Sequence, residues 1–259
     1  MGEVWPENRA TPRLLALGDA AWTVEFGDSI DPLLHGRVIG LADALGEARA
    51  TGMPEFAGIV DVVPTFRSLT VHFNPLLTEG TRLGEALLRL AGEAGICETA
   101  GRRWQIPVCF DDEFSPDLEE LAHAKEMRRD AVIALLTSTV FRVYMIGFMP
   151  GFPYMGGLPS VLEMPRLASP RKTVAARSLA IAGAMCAVYP WESPGGWRLL
   201  GRTPVPFFSA ADSESPALLA SGDSVCWQAI DRAEYDRIEA EARNDGFDRK
   251  QFLLPGGGQ

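Results

Sequence analysis

Between Pro165 and Arg177 the chain gathers four cations, Arg166, Arg171, Lys172 and Arg177. Two of them follow prolines, as Pro165-Arg166 and Pro170-Arg171. A guanidinium presents a planar fork that matches carboxylate or phosphate. In a chain of formal net charge -10, a local positive cluster is therefore a candidate anion site. A solvated basic loop would have the same composition, so the flanking segments must decide. Upstream, Gly147–Pro159 reads GFMPGFPYMGGLP, with four glycines and three prolines in thirteen residues, where average usage gives about one or two. Phe148, Met149, Phe152, Tyr154 and Met155 make it too apolar for a free linker. Its glycines and prolines exclude a helix or a central strand. The expectation is a rigid packed loop, either lining a ligand site or serving as a structural Ω-like loop. Downstream, Tyr189-Pro190-Trp191-Glu192-Ser193-Pro194-Gly195-Gly196-Trp197 precedes Gly201-Arg202-Thr203-Pro204. Ser-Pro-Gly-Gly predicts a tight turn whose bare backbone N–H groups could form an anion nest.

Familiar catalytic templates are missing. No GxxxxGK[ST] loop, GxGxxG or GxSxG occurs, and no lysine follows a glycine. Ser178 and Lys172 could be written as a dyad, but their spacing carries no specificity. His72 falls on the polar face of an expected strand, as a general base or as a surface histidine. Three scattered histidines (His35, His72, His123) and four separated cysteines (Cys97, Cys109, Cys186, Cys226) give no metal-ligand spacing. The cysteines read as reduced thiols, which points to a cytoplasmic protein. The acidic balance argues against nucleic acid as a partner. The N-terminus lacks a signal-peptide pattern, and the uncharged run Ser178–Trp191 is too short to span a bilayer.

The elements that would position these residues fall into two blocks. Leu14–Leu17 and Trp22–Phe26 read as strands around a Gly18-Asp19 turn. Asp31-Pro32 opens a helix carried by Leu34, Val38, Leu41 and Leu45. Gly58–Val63 and Ser68–Phe73 are strands, and Glu79–Ala94 is a second amphipathic helix. This ββαββα order predicts an α+β domain over residues 1–102, with helices on one face of a sheet. Cys97–Arg103 is the expected boundary. In residues 103–259, Trp104–Phe110 reads as a strand, Ser115-Pro116-Asp117 as a helix start, and Arg129–Leu136 as a short helix. Val140–Phe148, Ser178–Tyr189, Trp197–Gly201, Val205–Phe208 and Ser224–Ile230 are strand candidates. Arg232–Arg243 closes the chain as a helix, before a tail at Pro255–Gln259. Short strands between Pro/Gly turns predict a closed or nearly closed β-barrel. With 259 residues and 47% hydrophobic content, both blocks can bury a core without disulfides or metals.

Four segments are distinctive in order and spacing: FRVYMIGFMPGFPYMGGLP (Phe141–Pro159), the two Pro-Arg pairs, AIAGAMCAVYP (Ala180–Pro190) and ESPGGWRLLGRTP (Glu192–Pro204). They resemble the B subunit of bacterial 5-oxoprolinase, a family also known as allophanate hydrolase subunit 1 and as KipI-type kinase inhibitors. RLLALGDAAWTVEFGD, VVPTFRSLTVHFNP and IPVCFDDEFSPDLEELA extend the resemblance over nearly the whole chain. It implies a small α+β domain followed by a mainly-β, cyclophilin-like barrel, as in the subdomains of a carboxyltransferase domain. It implies a companion C subunit together with a further A subunit, and ATP bound by the assembly to open a lactam. Two departures stand out: Arg177 occupies a usual glycine position, and Met185-Cys186 replaces a usual Gln-Thr. On this basis the expected function is that of a non-autonomous subunit that binds and activates an amide or lactam at a barrel mouth. Arg166 and Arg171 are expected to hold charge, and Gly195 and Gly196 to offer donors to an oxyanion. Tyr154, Tyr189 and Trp197 would shape the pocket, and Ser178 and Arg202 complete the expected site. No nucleophile is assigned. The same resemblance leaves open a regulator that inhibits a sensor histidine kinase, or an accessory to a biotin-dependent carboxyltransferase.

Overall fold

Alternating apolar residues build the first sheet. In the computed structural model, which describes residues 11–96, 101–244 and 246–255, the chain divides near residue 99 into two compact units. The expected boundary residues Cys97–Ala100 and most of the expected tail lie outside the described residues. In the first unit, β1 (Arg13–Ala16), β2 (Ala21–Glu25), β3 (Ile59–Pro64) and β4 (Ser68–Phe73) form an antiparallel sheet in the order β1-β2-β4-β3. Val24, Leu69, Val71 and Phe73 point to one face and are buried. Helices α1 (Pro32–Ala50) and α2 (Gly80–Glu93) cover it with Val38, Leu41, Leu45, Leu83 and Leu87. Asp31 caps α1, its carboxylate accepting from Leu33 N at 2.7 Å and Leu34 N at 3.2 Å.

The second unit holds β5 (Arg103–Cys109), α3 (Leu118–Ala124), α4 (Arg129–Ser138), β6 (Val140–Ile146) and β7 (Pro153–Gly156). After these come β8 (Arg171–Val174), β9 (Ser178–Ala182), β10 (Met185–Val188), β11 (Ser193–Gly195), β12 (Arg198–Arg202), β13 (Ser224–Ile230) and α5 (Arg232–Ala242). Seven strands close a barrel in the order β10-β7-β6-β13-β5-β12-β9, and β9 pairs back to β10. Only β5 and β13 run parallel among its neighbours. Ile106, Val108, Phe141, Val143, Met155, Ile181, Cys186, Leu200 and Trp227 fill the interior. The remaining strands, β8 and β11, form a separate two-stranded ribbon.

Several elements depart from expectation. Gly147–Pro159 contains a central strand after all: β7 lies between β6 and β10. It is only four residues long, and Pro153 stands at its first position, where a missing donor is tolerated. Gly156 is its last residue, and the Tyr144 ring packs so closely there that a Cβ would lie 2.4 Å from it. The Ser-Pro-Gly-Gly turn is instead strand β11, with an irregular register between Ser193 and Gly195. Val205–Phe208 makes no strand beyond a bridge between Phe208 and Ala217, since Pro204 and Pro206 lack donors. The helix expected at Ser115 begins at Leu118. Ser115 Oγ donates to Phe110 O at 2.9 Å or Asp111 O at 2.8 Å, while Asp117 turns its carboxylate to β12 and Arg171.

Asp223, before β13, ties the barrel together from a buried position. It accepts from Arg102 N, Nε and Nη2, from Trp104 Nε1 at 3.0 Å and from Ala220 N at 2.9 Å. Replacing it strands several buried donors. Asp223→Ala should lower unfolding free energy by about 3 kcal/mol or more, read as a drop in the urea midpoint. Asp223→Asn, which keeps part of the network, should lose less.

Candidate functional site

Period-two alternation sends the side chains of β7, β9, β10 and β12 to two different places. Met155, Leu179, Ile181, Cys186, Val188 and Leu200 join the barrel core. Their neighbours Tyr154, Ala180, Ala182, Ala187 and Leu199 join a second cluster with Phe152, Val174, Tyr189 and Trp197. This second cluster therefore lies on the outer face of the barrel. Phe152 is its centre: its ring lies 4.9 Å from Tyr154, 5.3 Å from Tyr189 and 5.9 Å from Trp197, centroid to centroid. The last two pairs are edge-to-face, the favoured geometry for ring quadrupoles.

A cavity of about 110 Å³ opens on this cluster, lined by Phe148, Phe152, Tyr154, Arg166, Tyr189, Pro194, Gly195, Gly196 and Trp197. Six of the nine expected site residues meet here: Tyr154, Arg166, Tyr189, Gly195, Gly196 and Trp197. The cavity opens on the cluster of the barrel's outer face, and the barrel interior is filled by its own core. Arg166 is exposed and sits 5.6 Å from the Trp197 ring centroid, within cation–π range. Burial pushes the Tyr154 phenol up, against the opposing charge of Arg166. Burial also raises the Tyr189 phenol, partly offset by the Trp197 backbone and by Arg166. Both hydroxyls thus stay protonated at neutral pH.

The other expected residues are committed elsewhere. Arg171 pairs with buried Asp117 at 2.6 Å and donates to Trp197 O at 3.4 Å, so it braces the ribbon rather than the cavity. Ser178 is buried and donates to Ala175 O at 2.8 Å. Arg202 donates to Ala176 O at 2.9 Å and stacks over Phe114 at 5.5 Å. The anion nest is also absent: neither Gly195 nor Gly196 has the positive φ that such a nest needs. Gly195 serves by its size instead, since a Cβ would lie 2.3 Å from the Tyr189 hydroxyl.

Both family departures fall outside the cavity lining. Arg177 does adopt the glycine-like backbone, with φ +68°. Its side chain leaves the cavity, pairing with Glu239 of α5 at 2.5 Å and donating to Pro204 O at 2.8 Å. Cys186 lies in the barrel core, where burial pushes its thiol far up, so it is an inert apolar group. Met185 packs against the aromatic cluster. The lining also includes Phe148 and Phe152, which the sequence reading leaves out of the site. Their place in an apolar Gly/Pro segment is the signal that could have found them.

A family model, carboxyltransferase domain, subdomain C and D, matches residues 12–219. The B subunit of 5-oxoprolinase from Bacillus subtilis is 35% identical over 237 residues, covering 87% of this chain and 96% of the relative. This chain belongs to the family of 5-oxoprolinase B subunits. The protein of that name from Haemophilus influenzae is 39% identical over 64% of this chain and 78% of its own length. Among solved structures, TTHA0988 is 33% identical with TM-score 0.69, covering 82% of this chain, which spans only 40% of that longer chain. The fold is shared with Kluyveromyces lactis urea carboxylase at 20% identity and TM-score 0.71, over 89% of this chain and 23% of the enzyme.

Two outcomes follow from this geometry. Gly195→Ala should push Tyr189 out of its edge-to-face contact and quench or shift Trp197 fluorescence, with a stability loss of about 1–3 kcal/mol. Burial raises the Glu239 carboxyl, but the charge and hydrogen bond of Arg177, with help from Tyr235 and Arg243, bring it below its usual value. A depressed carboxylate stabilises the fold above its unfolded pKa and loses that contribution as pH falls. Acid titration monitored by circular dichroism should therefore show Arg177→Ala flattening the stability loss below about pH 4.5.

Proposed function

We propose that this chain is the substrate-holding subunit of an ATP-dependent lactam or amide hydrolase of the 5-oxoprolinase type. It acts in the cytoplasm with companion A and C subunits, and its barrel is of the cyclophilin-like kind. One observation carries this reading: the aromatic cavity is lined by a single cation, Arg166, and by no carboxylate. That combination suits a small anion with an apolar or planar body. A cavity of about 110 Å³ is well below the roughly 300–1,000 Å³ of drug-sized pockets, so the ligand or its inserted part is compact. 5-Oxoproline meets the description, with its carboxylate toward Arg166 and its ring against the aromatics.

The lining residues include no serine, cysteine, histidine, aspartate or glutamate. In this reading the cavity binds and orients the ligand and supplies no nucleophile of its own. Tyr154 and Tyr189 bring protonated hydroxyls to the site, able to donate to a carbonyl or carboxylate oxygen. In this reading ATP is bound by the assembly, and this chain contributes no GxxxxGK[ST] loop to that site. The names of the relatives support the same reading.

The test is 5-oxoproline-dependent ATP hydrolysis by this chain reconstituted with the A and C subunits. Arg166→Gln should raise KM for 5-oxoproline by about tenfold to a hundredfold, the range for losing one charge-assisted hydrogen bond. An inactive but well-folded assembly, or a KM indifferent to Arg166, would overturn the proposal.

A further inference from the structure

Phe148 is unfavourable on two independent counts. Its φ is +68°, a region that bulky side chains rarely enter. Met149 N donates to Gly147 O at 2.8 Å, closing a three-residue turn around it. A γ-turn with positive φ at its centre is the rare, strained form. Glycine stands immediately before Phe148, yet the positive φ falls on the phenylalanine. The ring is also 73% exposed, whereas the cavity residues Phe152, Tyr189 and Trp197 are each at most 4% exposed.

The loop holds this arrangement firmly. Gly147 N donates to Phe152 O at 3.1 Å, and Phe152 N donates to Met149 O at 3.1 Å. The Phe148 ring stands edge-on to Phe152, 5.7 Å away, and lines the same cavity as Arg166. Its exposure places it at the rim, while the other rings form the floor and walls. Strained backbone persists where its surroundings over-determine it, and such positions cluster at ligand clamps.

We propose that Phe148 is the residue that covers the ligand, its ring lying over the apolar body of a compact cyclic anion whose charge lies on Arg166. This rests on the pocket reading given under Proposed function. With its backbone fixed by the turn and its ring held edge-on to Phe152, Phe148 loses little freedom on binding, so contact with the ligand is not offset by ordering of the loop. The same ring discriminates: an anion without a ring gains from Arg166 but not from Phe148, so the site favours cyclic over small linear carboxylates.

The experiment uses the assembly reconstituted with the A and C subunits, and Phe148→Gly. Glycine adopts positive φ freely, so the loop keeps its path while the ring is lost. KM for 5-oxoproline should rise about fivefold or more while kcat stays within about twofold, because the ring acts in binding rather than in the chemical step. The melting temperature of the chain should stay level or rise as the strain is relieved. Phe148→Tyr, which keeps the ring, should hold KM near the wild-type value. An unchanged KM in Phe148→Gly, with Arg166→Gln raising it, overturns the covering role alone. If neither substitution moves KM, the pocket reading falls and the covering role with it. A clear drop in melting temperature for Phe148→Gly makes the ring a structural plug, which also overturns the proposal.

Discussion

Four neighbouring strands of the barrel, β7, β10, β9 and β12, are buried on both faces, and the site depends on that condition. A strand offers alternate side chains to opposite sides. In a small closed barrel the inner set fills the lumen, leaving no room for a ligand there. The outer set is available for a second layer, and this chain uses it for an aromatic cluster closed by the β8–β11 ribbon. Strand β9, Ser178–Ala182, shows the consequence, since all five residues are buried. Small residues at Ala180, Ala182 and Ala187 leave space on the outer face for Phe152, Tyr189 and Trp197 to converge.

Charge is arranged around this two-sided wall by desolvation. Arginine supplies nearly all of the positive charge, and most of it is spent on fastening segments together. Arg171 reaches buried Asp117, Arg102 reaches Asp223, and Arg177 ties a loop of the barrel to Glu239 on α5. Buried carboxylates require such partners, because an unpaired buried charge is strongly destabilising. The four-cation cluster is thereby sorted. Arg171 and Arg177 are neutralised within the fold, and Arg166 alone of the four lines the aromatic cavity.

Much of the architecture was legible in the chain. Asp31-Pro32 marks a helix start because the carboxylate satisfies orphan N–H groups and proline costs no hydrogen bond there. The alternation Leu69, Val71, Phe73 marks a strand because one face of that sheet is wet. Where both faces are dry, alternation disappears, and Ser178–Tyr189 reads as one apolar run instead of two strands around Gly183. Short strands that begin at proline are equally hidden, which is why β7 reads as loop in the sequence.

The composition of the site was also determined by the sequence: aromatics, glycines and arginines gathered within Gly147–Arg202, without a nucleophile template. Which arginine faces the cavity was decided only by tertiary structure. Nothing local distinguishes Arg166 from Arg171, since each follows a proline. The difference is Asp117, more than fifty residues away, brought beside Arg171 by the packing of α3 against β12. The role of Gly195 is likewise tertiary, set by the Tyr189 hydroxyl occupying the space a side chain would need. Residue type determines what a group can do, but its partners, and therefore whether it remains free to do it, come from distant segments that only folding brings into contact.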